Sequence, residues 1–130
     1  MADICSRSWC VRPVRGRSFS REKLSVDCKT SYSLTDGAPS VSEYEVLQST
    51  DSFSLLKLLP RTGRTHQLRL HMSAIGHPLA GDWLYGTEDT DLIPRAALHS
   101  CRVHLKHPVT GEILDLICPL PDDMTRLMTL

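Results

Sequence analysis

Apolar residues change their spacing several times along this 130-residue chain, and each change predicts an element. Residues 1–36 have weak periodicity and many Arg, Ser and Pro, which reads as an arm or connector ahead of a domain at 37–130. Within the arm, Val11-Arg12-Pro13-Val14 is compatible with one short strand. From residue 41 to 48, Tyr44, Val46 and Leu47 mix with Glu43, Glu45 and Gln48, and Thr50-Asp51-Ser52 supplies a turn into a second strand at 52–60. That second strand holds Phe53, Leu55, Leu56, Leu58 and Leu59, too continuous for a one-sided strand, so it is expected to be central and covered on both faces. Leu68, Met72 and Ile75 then recur at helical spacing, giving a short helix at 66–75 with Thr65 as N-cap candidate. Gly76 can take the left-handed C′ conformation and Pro78 forbids continuation. After the glycine loop 81–86 and an acidic irregular stretch at 87–94, a second hairpin is expected, pairing about 97–106 with 112–118. Its first strand alternates Cys101, Val103 and Leu105 against Arg102, His104 and Lys106, and Leu114, Leu116 and Ile117 are expected to be buried on the return. The predicted class is α+β, a mostly antiparallel sheet with one or two short helices.

The leucine-rich strand at 52–60 has a consequence. A central strand needs two neighbours, and the hairpin supplies one. The open edge invites a homodimer, a domain-swapped pair, a missing N-terminal half of the same domain, or the arm folded back to fill the place.

A length of 130 residues and 41% hydrophobic content support one domain with a real core. The formal net charge is zero, so overall charge gives no argument for a nucleic-acid partner, but its distribution does. Residues 1–21 hold Arg7, Arg12, Arg15, Arg17 and Arg21 against Asp3, and 61–71 adds Arg61, Arg64, Arg69 and two histidines with no acid. Five cysteines at irregular spacing, without a secretory apolar region or a run near 18 apolar residues, point to free thiols and a cytoplasmic setting, with no membrane segment.

The densest chemistry lies between Gly63 and Gly86. Arg64, Thr65 and His66 stand at the predicted helix N-terminus, where backbone amides and a guanidinium suit a phosphate. His66 can equally cap or pack locally, and the plain alternative for the helix is a solvated basic face. His71 and His77 read as structural. Cys101-x-x-His104-x-x-His107 and the His66/His71 pair do not make a zinc site, because Cys101 and His104 fall on opposite strand faces and positions 66 and 71 share a helix face poorly. No Gly-x-Ser-x-Gly elbow supports a serine hydrolase.

The run Gly63-Arg64-Thr65-His66-Gln67-Leu68-Arg69-Leu70-His71 through Gly81-Asp82-Trp83-Leu84-Tyr85-Gly86 resembles the C-terminal signature of the RluA-type RNA pseudouridine synthases. The resemblance extends upstream to Gly37–Leu47, with Ala38, Ser40 and Ser42 departing from the family pattern, and downstream to Arg95–Ser100, His107–Glu112 and Pro119–Met124. It implies half of a synthase catalytic domain and a cofactor-free isomerisation of uridine to pseudouridine in rRNA or tRNA. By resemblance Arg69 pairs with the nucleophilic aspartate, Leu68 lines the base pocket, Arg61, Arg64, Thr65 and His66 face RNA, and Asp82 is structural. The family's nucleophile belongs to a His-Arg-Leu-Asp pattern, and this sequence contains no Arg-Leu-Asp; neither Tyr32 nor Tyr44 matches the setting of the family's active-site tyrosine. The chain therefore reads as a part without its nucleophile, inactive alone; the alternative is a non-catalytic RNA-binding module or pseudo-enzyme remnant. Two further expectations follow. Arg61, Arg64 and Arg69 would neutralise about two or three phosphates, giving a log–log salt slope near about −2. In an enzyme with its nucleophile restored, Arg69→Ala should abolish turnover with the fold intact.

Overall fold

The computed structural model describes residues 5–13, 24–30, 38–87 and 89–130, with side chains from residue 39 onward. Six strands form one sheet: β1 (Cys5–Pro13), β2 (Leu24–Thr30), β3 (Ala38–Ser49), β4 (Phe53–Pro60), β5 (Leu98–Lys106) and β6 (Ile113–Ile117). Helix α1 (Gln67–Ala74) lies between β4 and β5, and α2 (Asp122–Leu127) closes the described chain. The strand order is β2-β3-β4-β1-β5-β6, and every adjacent pair is antiparallel. The α+β class is as expected.

The β3–β4 hairpin forms because Thr50 closes its turn from both ends. Its N–H donates to the Phe53 carbonyl (2.8 Å), and its Oγ1 accepts from the Phe53 amide (3.0 Å). β4 is central and covered on both faces, as its leucine run predicts. Phe53 and Leu55 pack with Met124 and Leu127 of α2, while Leu56 and Leu58 pack with Tyr44, Val46 and Met72 of α1. The place beside β4 is taken by β1, which pairs Cys10 with Leu56 and Trp9 with Lys57 and then bridges to β5. Both β1 and β2 lie inside the 1–36 stretch that reads as an arm. With β1 between β4 and β5, the connection from β4 crosses the sheet, and α1 rides on that crossover.

Three local expectations are corrected. Leu116 and Ile117 are 56% and 72% exposed rather than buried, because β6 is the outermost strand and α1 and α2 pack chiefly over β1 to β4. Helix α1 starts at Gln67, not 66. Its N-cap is His66 in a left-handed conformation (φ 55°) without a side-chain cap, so Thr65 does not cap it. The helix end follows the sequence signal: Gly76 (φ +79°) donates to Ser73 and His77 to Met72, a Schellman arrangement.

Candidate functional site

The β4–α1 turn is built around one side chain. Gln67 is buried, and all of its amide hydrogen-bonding capacity toward protein is engaged. Its Oε1 accepts from Thr62 Oγ1 (2.7 Å) and the Arg64 amide (3.1 Å), and its Nε2 donates to the Val41 carbonyl and Ser42 Oγ (both 2.9 Å). Thr62 Oγ1 accepts from the Val41 amide in turn (3.1 Å). Gln67 thus holds the start of α1 to β3. The expected row of free helix amides is correspondingly shorter, since the Arg64 amide is taken by Gln67 and the Gln67 amide reaches the Arg64 carbonyl (3.2 Å).

One turn further, Arg69 forks onto Asp82. Nε donates to Oδ2 at 2.9 Å and Nη2 to Oδ1 at 2.6 Å. The Asp82 side chain is 0% exposed and that of Arg69 16%. Asp82 Oδ1 also accepts from the Leu84 and Tyr85 amides (3.1 and 3.2 Å), so one carboxylate fixes both the arginine and its own turn. Burial alone would raise the Asp82 pKa. The Arg69 hydrogen bonds and the two amides outweigh it and bring it below the usual aspartate value of 3.8. The Tyr85 ring lies 5.2 Å from the Arg69 guanidinium carbon and meets the His66 ring edge-on, with its hydroxyl 3.1 Å from His66 Nδ1. Ser73 Oγ donates to the Tyr85 carbonyl (2.7 Å). The 81–86 loop is therefore stitched to α1 at Arg69 and Ser73 and to its N-cap at His66.

These contacts frame an open cleft of about 630 Å³ lined by Arg61, Arg64, His66 and Arg69, with Leu68 and Leu98 contributing apolar wall. The structure brings Arg61, Arg64, His66, Leu68 and Arg69 together there. Thr65 is exposed and is not part of the lining. Arg61 is doubly paired with Glu43 (2.7 and 3.1 Å), whereas Arg64 is the lining arginine with no carboxylate partner among the described residues. Sequence reasoning missed Gln67, Glu43 and Tyr85 as site-forming residues and did not join Asp82 to Arg69. Among the described residues no cluster of metal-ligating side chains occurs, and no helix is long and apolar enough to cross a membrane. His107 caps its own turn, its Nδ1 accepting from the Val109 and Thr110 amides.

The arrangement of this sheet and its helices is similar to that of RNA pseudouridylate synthase domains. A human RNA pseudouridylate synthase domain containing 1 structure superposes with a TM-score of 0.71 at 27% identity, covering 89% of this chain and 54% of that one. The RNA pseudouridylate synthase family model matches residues 18–74. The ribosomal large subunit pseudouridine synthase D of Nitrosomonas europaea is 44% identical over 103 residues, covering 73% of this chain and 30% of the relative. The uncharacterized RNA pseudouridine synthase YlyB of Bacillus subtilis is 42% identical over 105 residues, covering 78% and 35%. The chain belongs to the RNA pseudouridine synthase family, in its RluA-type branch. It spans about a third of the length of these curated relatives.

Proposed function

We propose that this chain is the C-terminal, RNA-facing part of a pseudouridine synthase and that it binds RNA through the α1 cleft without turning uridine over by itself. The observation that carries the reading is the cleft itself: a forked, rigidly held arginine beside Leu68, with Arg64 and His66 at its rim. In the reaction, a uridine leaves the RNA stack, an aspartate attacks it, the glycosidic bond to nitrogen breaks and reforms at C5, and the C5 hydrogen is lost to solvent as the aspartate is released. Extrusion costs a few kcal/mol and is easiest at unpaired sites. Leu68 offers an apolar wall to the extruded base, and Arg69 an immobile cation for the attacking carboxylate. Asp82 does not serve as that nucleophile, because it is fully buried and saturated by four donors. The attacking aspartate comes from sequence outside the stretches matched here. The ribosomal names of several relatives make rRNA the first substrate class to try.

Incubating the chain with RNA carrying tritium at uridine C5 should release no tritium above background, while the same RNA binds weakly. Arg61 and Arg69 already hold carboxylates, so the salt slope expected from three arginines is reduced to that of about one phosphate, near about −0.7. Arg64→Ala should remove most of that slope. Tritium release above background would overturn the inactive reading, and absence of binding even at low salt would overturn the RNA reading.

A further inference from the structure

Behind the cleft lies a buried polar chain that the family reading leaves without a task. His71 is 1% exposed; its Nδ1 lies 2.9 Å from Ser42 Oγ and its Nε2 2.9 Å from Ser40 Oγ. Ser40 and Ser42 stand two residues apart on β3 and so share a face. Gln67 and His71 stand four apart on α1 and do likewise. The two faces meet as two rungs, Gln67 on Ser42 and His71 on Ser42 and Ser40.

Obligate groups at one end fix the orientation of the Gln67 amide. The Arg64 amide can only donate, so the Gln67 atom facing it is the carbonyl oxygen, and the Val41 carbonyl can only accept, so the atom facing it is the Gln67 amide nitrogen. That nitrogen donates to Ser42 Oγ. Ser42 Oγ keeps one hydrogen and a second lone pair; the proposed wiring sends that hydrogen to His71 Nδ1 and leaves this nitrogen unprotonated. In that wiring His71 carries its proton on Nε2 and donates it to Ser40 Oγ.

We infer that Ser42 and His71 are positioning residues for the cleft: through Gln67 they hold the 61–64 loop at a fixed distance from Arg69. The bonds run from Ser40 through His71, Ser42 and Gln67 to Thr62 and the Arg64 backbone without a break. Neither residue lines the cleft; Ser42 bonds the lining residue Gln67 and His71 acts through Ser42. The consequence for RNA rests on the proposed function, whereas the wiring does not.

Three readouts on the full chain test it. Nitrogen-15 spectra of His71 at neutral pH should show the proton on Nε2 and none on Nδ1; protonated Nδ1 overturns the wiring even if no variant folds. Ser42→Ala should speed amide exchange at Arg64 by about tenfold or more, with the central β4 amides unchanged, because Gln67 Nε2 loses a buried acceptor. Ser42→Thr, which keeps the hydroxyl, should restore it. An unchanged Arg64 exchange rate in Ser42→Ala overturns the proposal. A uridine oligonucleotide should bind Ser42→Ala more weakly and Ser42→Thr normally. Faster exchange with unaltered affinity upholds the relay and removes RNA from the cleft instead.

Discussion

Replacing Asp82 by alanine is expected to destabilise the chain by about 3–5 kcal/mol, the range for breaking a buried ion pair from one side. Four donors converge on this fully enclosed carboxylate. The Arg69 guanidinium is left as a largely buried, uncompensated charge, and the Leu84 and Tyr85 amides lose their acceptor. Against a typical domain stability of about 5–15 kcal/mol, such a loss is readily measured in urea melts. A loss under about 1 kcal/mol would contradict the geometry. Arg69→Ala attacks the same pair from the other side, so the expectation that it leaves the fold intact is corrected: it strands a buried carboxylate. Its effect on turnover in a restored enzyme has to be read beside a melt.

The same pair makes the fold acid-sensitive in a defined direction. The folded-state pKa of Asp82 lies below its ordinary value of 3.8, so its contribution is fully present above that value and is lost as pH falls through the lower, folded one. Stability measured in urea should therefore decline below about pH 4. In Asp82→Asn this part of the decline should disappear.

Gly81→Ala is expected to be nearly as damaging, by about 3 kcal/mol from overpacking and backbone strain together. Gly81 has φ +67°, and a Cβ there would meet the Arg95 carbonyl oxygen and come within 2.7 Å of Ile93 Cγ2. Neither neighbour can yield easily: Ile93 is in the core, and the segment around Arg95 is tied down by the Ala97-to-Ala80 hydrogen bond of 2.8 Å. Gly76 is the internal control. Its φ is +79° but its Cβ would meet open space, so Gly76→Ala should cost only the backbone term, about 1–2 kcal/mol. Equal melting temperatures for the two variants would contradict the close approach at Gly81.

Local signals were legible wherever one stretch of chain decides its own structure. Thr50-Asp51-Ser52 closes its hairpin, the run from Phe53 to Leu59 is central, and Gly76 ends the helix. What escaped depends on residues distant in sequence. The start of α1 is held by a glutamine reaching back to Val41 and Ser42 rather than by a hydroxyl at the N-cap, where a search by residue type lands on Thr65. Leu116 and Ile117 read as core residues by their apolar type, but exposure is set by strand order, and an outermost strand is not announced by its own composition. The charge count at 61–69 was right in residues and misleading in effect, because Glu43 and Asp82 approach from other elements and hold two of the three arginines. Arg69 and Asp82 both stood in the resembling motif, thirteen residues apart, and only the crossover geometry joins them.

The most direct measurement is a titration of the nitrogen-15-labelled chain with a short single-stranded oligonucleotide containing uridine, followed by amide shifts at low and moderate salt. Movements should concentrate at residues 61–69 and at Leu98, with the Arg64 amide among the largest, and should shrink as salt rises. Shifts confined to the apolar hollow beside Phe53 and Leu92, to the β6 edge, or absent at every salt concentration would contradict an RNA-binding cleft at the start of α1.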